Sequence, residues 1–121
     1  MNYLQKQQIV RNLKNSFIAN YPRGCCKIVG NVSNEHEVTK ASVMHWFEAN
    51  GYDTYSEITF KSPYSGRGDI VAIHPSGFGY ICEILKSESE KRFNSKKDKY
   101  PEEFMLIKVV TKDYSYDTFK V

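Results

Sequence analysis

Three apolar runs limit what this chain can fold into: Gly68 to Ile73 (GDIVAI), Gly79 to Leu85 (GYICEIL) and Phe104 to Val110 (FMLIKVV). Each has the length and composition of a buried strand and is bounded by turn residues. GYICEIL is apolar on both faces, which puts it at the centre of a sheet. Upstream, Tyr52 to Lys61 alternates as a further strand. Ser62-Pro63-Tyr64-Ser65-Gly66 then supplies turn chemistry, and Pro75-Ser76-Gly77 a hairpin loop.

Helical spacing brackets this block. Leu4, Val10, Leu13 and Phe17 predict a helix over residues 2–20, ended by Tyr21-Pro22-Arg23-Gly24. Cys25 to Val32 reads as a strand or an extended connector. Ser33 or Asn34 caps a second helix from Glu35 to Asn50, and Gly51 stands where a left-handed residue closes it. A charged helix is expected over 87–99, stopped by Tyr100-Pro101, and Tyr114 to Val121 reads as a last edge strand. Antiparallel-capable strands followed by a helical crossover to a further strand predict an α/β fold: a mixed sheet with helices on both faces. With 121 residues and no repeat or internal linker, the chain is read as one domain. Its N-terminal helix and connector occupy 1–32, its core 33–110 and an edge strand 111–121.

Such a chain buries roughly two-thirds of its unfolded surface and needs no disulfide or zinc to fold. No stretch approaches the roughly 18 apolar residues of a membrane span, and no apolar run follows the N-terminus. The expectation is a protein of a cytoplasm, cellular or viral-host, without a membrane partner. The three cysteines agree. Cys25 and Cys26 are adjacent, Cys82 lies in an apolar run, and no CxxC or Cys/His pair has zinc spacing, so buried reduced thiols are expected. A net charge of +3 permits nucleic-acid binding without arguing for it. The basic residues crowd into 86–99 and into the first helix (Lys6, Arg11, Lys14), as two solvated faces or as a phosphate-contacting surface.

Chemistry enters with two carboxylates. Glu83 lies inside GYICEIL, where an ionised group is costly unless it is paired or binds a metal. Asp69, at the start of the preceding strand, has the same problem. Two neighbouring carboxylates repel each other and are natural oxygen ligands of Mg²⁺ or Mn²⁺. The alternative is structural: Asp69 caps the turn after Arg67-Gly68 and Glu83 pairs with an arginine. On the second helix His36, Lys40, Val43 and Phe47 form one stripe at about 100° per residue. Its apolar half must pack on the sheet. Its polar half either overhangs a site for carboxylates or phosphates, or projects past the sheet edge into water.

Taken in order, these residues resemble the PD-(D/E)XK nuclease superfamily. The elements are His36-x-x-x-Lys40 on a helix, Gly51-Tyr52, Glu57 in the next strand, Arg67-x-Asp69, and Glu83 followed by Ser87. They look most like the branch that holds the competence protein CoiA and archaeal relatives. Archaeal Holliday-junction resolvases share part of the same skeleton. The resemblance implies a restriction-endonuclease-like fold and hydrolysis of phosphodiester bonds in DNA, structured or single-stranded, in recombination, repair or replication. It implies that Asp69, Glu83 and the carbonyl of Ile84 hold Mg²⁺ or Mn²⁺, with Glu57 as a third carboxylate or a ligand through water. Lys40 and Lys86 compete for the lysine that orients the attacking water, and His36 is a phosphate contact or acid. Arg67, Lys91, Lys96 and Lys97 would meet nucleic acid, and a homodimer is left open.

One position departs from the pattern. Leu85 stands where the family has lysine or glutamine, and Lys86 falls on the other side of a regular strand from Glu83. A bulge near the strand end, a lysine from elsewhere (Lys40 or Lys96), or lost catalysis with retained binding of nucleic acid or a protein would each account for it.

Overall fold

The computed structural model of the protein describes residues 1–86, 94 and 97–121. Helix α1 spans Tyr3–Asn15 and opens on a reciprocal cap. The Gln5 amide donates to the Asn2 side chain and the Asn2 amide to the Gln5 side chain, both at 2.8 Å. It stops at Asn15 rather than running on to residue 20. Ser16 bonds the Leu13 carbonyl through both its amide and its hydroxyl, and the chain turns into a two-residue strand, β1 (Phe17–Ile18). Helix α2 spans Asn34–Ala49. The Ser33 hydroxyl accepts the His36 amide, and Glu35 and Glu37 sit in the first turn, where the helix dipole favours carboxylates. Gly51, at φ +87°, takes the left-handed position that closes it.

Strands β2 (Asp53–Phe60), β3 (Arg67–His74), β4 (Phe78–Leu85) and β5 (Phe104–Val110) complete a five-stranded sheet in the order β1-β2-β3-β4-β5. The first three pairings are antiparallel, and β4 pairs with β5 in parallel. The fold is therefore α/β, with a mixed sheet and, among the described elements, the two α-helices α1 and α2. The helix expected over 87–99 falls mainly outside the described residues; its described end, Lys97–Lys99, is a single 3₁₀ turn.

Two apolar clusters hold these elements together. Leu13 of α1 and Phe17 pack with Ile58, Phe60, Val71 and Ile81. Val43, Met44 and Phe47 of α2 pack with Ile70, Ala72, Cys82 and Ile84. Phe47 and Val43 are wholly buried, and each such side chain contributes about 1.5–3 kcal/mol.

Two expectations are corrected, and one left open is decided. Tyr114 to Val121 forms no strand: Thr111–Asp113 is a 3₁₀ turn, and the chain then folds back onto α2, with Phe119 edge-on to Trp46 at 4.9 Å. Burial of these aromatics outweighs the pairing that their alternation suggested. Cys25 to Val32 is a connector, tied to β2 through the Ser56 hydroxyl, which donates to the Cys25 carbonyl and accepts the Lys27 amide. All three thiols are free, but only Cys82 is buried and Cys25 is exposed. Among the described residues no helix is long and apolar enough to cross a membrane.

Candidate functional site

The β3–β4 ladder ends at the pair Ile70 and Cys82, and one step beyond it come Asp69 and Glu83. There the Asp69 Oδ2 accepts the Ile84 amide at 2.8 Å, so the carboxylate satisfies a backbone donor of β4. The same oxygen lies 3.5 Å from His36 Nε2. Asp69 thus joins β3 to the N-terminal turn of α2 and to the residue after Glu83.

From His36 the polar contacts continue inward. His36 Nδ1 is 3.0 Å from Glu37 Oε1, and Glu37 Oε2 accepts the Val29 amide at 3.2 Å and the Lys40 ammonium at 2.9 Å. Lys40 has no exposed surface. It donates to the Lys27 carbonyl at 2.6 Å and lies 3.8 Å from Glu57 Oε1. An ammonium has three donors, and three oxygens surround this one. A buried charge is tolerable only with such compensation.

The two carboxylates beside Lys40 respond in opposite directions. Burial alone would raise Glu37, but the bonds from Lys40, the Val29 amide and His36 win and hold it below the usual carboxylate range. Burial raises Glu57; Lys40 opposes this, the negative charge of Asp69 adds to it, and the net shift is upward. Glu57 also has a left-handed backbone, φ +50°, inside β2. Such a conformation is costly for a residue with a Cβ and recurs at functional sites.

Glu83 has different surroundings. Its carboxylate accepts the Tyr100 hydroxyl, which also lies 3.1 Å from the Arg67 carbonyl. Ser65, Gly66, Arg67 and Lys99 complete a pocket of about 260 Å³ around Glu83 and Tyr100. Arg67 and Lys97 are exposed, as is Lys86 just beyond β4. Lys91 and Lys96, like Ser87, lie outside the described residues. The pairing of β4 with β5 runs unbroken from Glu83 opposite Lys108 to Leu85 opposite Val110. No bulge therefore intervenes between Glu83 and Leu85, and Lys86 follows in a bend after the strand.

The structure brings together His36, Lys40, Glu57 and Asp69, and sets Glu83 with Tyr100 and Arg67. Sequence reasoning missed Glu37, Tyr100 and Lys108. Glu37 was readable on the helical wheel, one position from His36 and three from Lys40. Lys108, the one charge within FMLIKVV, pairs in register with Glu83. Nothing local marked Tyr100, which reads only as a stop signal beside Pro101.

Among the described residues no three His, Cys, Asp or Glu side chains form a ready-made metal cage. The charge balance nevertheless suits a cation. Glu37 and Glu57 face the Lys40 ammonium, and the negative charge of Asp69 adds to the burial that raises Glu57. Comparison with family models, curated proteins and solved structures finds no match to the chain.

Proposed function

We propose that the chain is a metal-dependent nuclease of the PD-(D/E)XK kind that hydrolyses phosphodiester bonds of DNA. One observation carries this: the Asp69 carboxylate stands where β3, the Ile84 amide of β4 and the His36 ring of α2 converge. The ordered motif elements His36, Lys40, Glu57 and Asp69, scattered through the sequence, lie within one polar network. The fuller architecture belongs to the same reading: α1 and α2 cover opposite faces of the sheet, as the two separate core clusters suggest, in a restriction-endonuclease-like arrangement.

A hard divalent cation fits the donor chemistry, since Mg²⁺ and Mn²⁺ are held by one or two carboxylates with water completing the shell. Asp69 and Glu83, with the Ile84 carbonyl, would hold it, and it would polarise the scissile phosphate and lower the pKa of its bound water. Glu57 contributes a further carboxylate charge beside Asp69. His36 keeps Asp69 oriented and can meet phosphate. Lys40 fixes Glu37 and Glu57 in place. Arg67, Lys86 and Lys97 are exposed and available to the DNA backbone.

Incubation of supercoiled, single-stranded and branched DNA with Mg²⁺ or Mn²⁺, against an EDTA control, tests the reading. Metal-dependent cleavage that Asp69→Asn abolishes is the expected result. Cleavage that survives Asp69→Asn would assign the activity elsewhere, and no cleavage of any substrate would remove the enzyme reading.

A second reading rests on Leu85 and on Lys40, which is enclosed by its own partners. In it, the domain binds nucleic acid or a protein without cleaving. Salt-dependent DNA binding without metal-dependent cleavage is its signature.

A further inference from the structure

We infer that Tyr100 is the positioning residue for Glu83 and supplies a hydrogen-bond donor that Leu85 cannot. The inference rests on the nuclease reading for its functional meaning, but its geometry stands apart from it.

Three observations converge on Tyr100. Its ring is buried in the cluster with Phe17 and Phe60, edge-on to Phe60 at 5.5 Å, so the hydroxyl has a fixed origin. Its backbone neighbour is locked: the Gly66 amide donates to the Lys99 carbonyl at 2.8 Å, tying this segment to the turn before β3. Gly66 is also the residue that admits the ring. A Cβ there would run into the Tyr100 ring and lie 2.8 Å from the Lys99 carbonyl. A glycine in the turn, a buried ring and a backbone clamp therefore place one hydroxyl against the Glu83 carboxylate. A lysine two residues after Glu83 would share its side of β4 and could offer a donor to the same carboxylate. Leu85 offers none.

The chemical consequence concerns Glu83. A donor held against a carboxylate fixes the plane of its oxygens, which matters for a group meant to take a cation. Arg67 and Lys99 line the same pocket and Lys108 pairs with Glu83 across β4 and β5, so these cations act on the carboxylate as well and must be kept constant.

Tyr100→Phe removes the hydroxyl and keeps the ring against Gly66. Mn²⁺ binding, followed by water-proton relaxation of protein that near-ultraviolet circular dichroism shows to be folded, should weaken about tenfold in Tyr100→Phe. Cleavage should fall about tenfold, with a higher Mg²⁺ concentration needed for half-maximal rate. Unchanged Mn²⁺ affinity in Tyr100→Phe, or a parent that binds no Mn²⁺, overturns the inference, whether or not the parent cleaves DNA. Weakened Mn²⁺ binding with a parent that never cleaves supports the positioning role and sinks the nuclease reading alone. A parent whose cleavage depends on Asp69 but not on the Tyr100 hydroxyl, with Mn²⁺ affinity unmoved, keeps the reading and sinks the inference.

Discussion

The Lys40 ammonium lies 2.9 Å from Glu37, one helical turn back on α2, and the lysine has no surface open to solvent. It is a structural cation as much as a site residue, because two carboxylates and a carbonyl are arranged around it. Lys40→Met fills most of the volume and removes the charge, leaving Glu37 and Glu57 buried without it. Breaking a buried pair from one side costs about 3–5 kcal/mol, to be read as a lower midpoint in urea unfolding. Adding Glu37→Gln to Lys40→Met should recover part of the loss, since the stranded carboxylate carries much of the cost. A loss below about 1 kcal/mol would mean that water reaches Lys40 in solution.

The pH dependence separates Glu37 from Glu57. Glu37 has a folded pKa below its ordinary value of 4.5, so its stabilisation is present above that value and disappears as pH falls through the lowered one. Glu57 is raised above 4.5, so the fold favours its protonated form, and stability falls as pH rises from 4.5 through the raised value. Glu37→Gln should therefore be less stable than the parent at neutral pH and converge with it in acid. Glu57→Gln should be equal to the parent in acid and more stable at neutral pH. Thermal melts from about pH 3 to about pH 8 give both curves. A Glu57→Gln protein less stable than the parent at neutral pH would show that its contact with Lys40 outweighs burial.

The backbone of Glu57 gives a prediction independent of charge. At φ +50° a side chain costs about 1 kcal/mol or more, and glycine avoids this. Glu57→Gly should therefore be more stable than Glu57→Ala by about that amount, the reverse of their order in an ordinary strand. Equal stabilities would argue against the left-handed conformation.

That residue also marks what the sequence can and cannot disclose. GDIVAI, GYICEIL and FMLIKVV became β3, β4 and β5 within a residue at each end, because a buried strand needs an apolar run and these have no other use. Ser33 and Gly51 bounded α2 because capping is local chemistry. β1 was unreadable: two residues carry no period, and Phe17–Ile18 is a strand only because Thr59 and Phe60 lie beside it. The C-terminal aromatics misled because alternation of Tyr114 and Tyr116 is local, whereas the packing of Phe119 on Trp46 is not. At the site, Asp69, Glu83, His36 and Lys40 stood out as polar groups on apolar stripes. The left-handed Glu57 and the approach of Tyr100 to Glu83 depend on contacts distant in sequence.

Gly66→Ala tests the clamp from the opposite side. The added methyl meets a buried ring and a backbone carbonyl, neither of which can yield cheaply. Overpacking of this kind costs about 1–3 kcal/mol. Because relief requires moving Tyr100, Gly66→Ala should also weaken Mn²⁺ binding, as Tyr100→Phe does, without altering the hydroxyl or the carboxylate. Near-parent stability with unchanged Mn²⁺ affinity would show that the turn, rather than the ring, gives way.

Leu85→Lys joins the family pattern to the geometry. Leu85 is half-buried and shares the side of β4 with Glu83, and the unbroken pairing with β5 gives a lysine there no reason to turn away. In the parent background its effect on cleavage should be small, because the Tyr100 hydroxyl already serves Glu83. In the Tyr100→Phe background it should restore most of the lost rate, since the ammonium replaces the missing donor. The four rates form a double-mutant cycle, and strong non-additivity is the expected outcome, because both groups serve one carboxylate. Additive effects would mean that Tyr100 and position 85 act on different groups. A Leu85→Lys protein that cleaves far faster than the parent would place the deficit at position 85 itself, with Tyr100 unable to make it good.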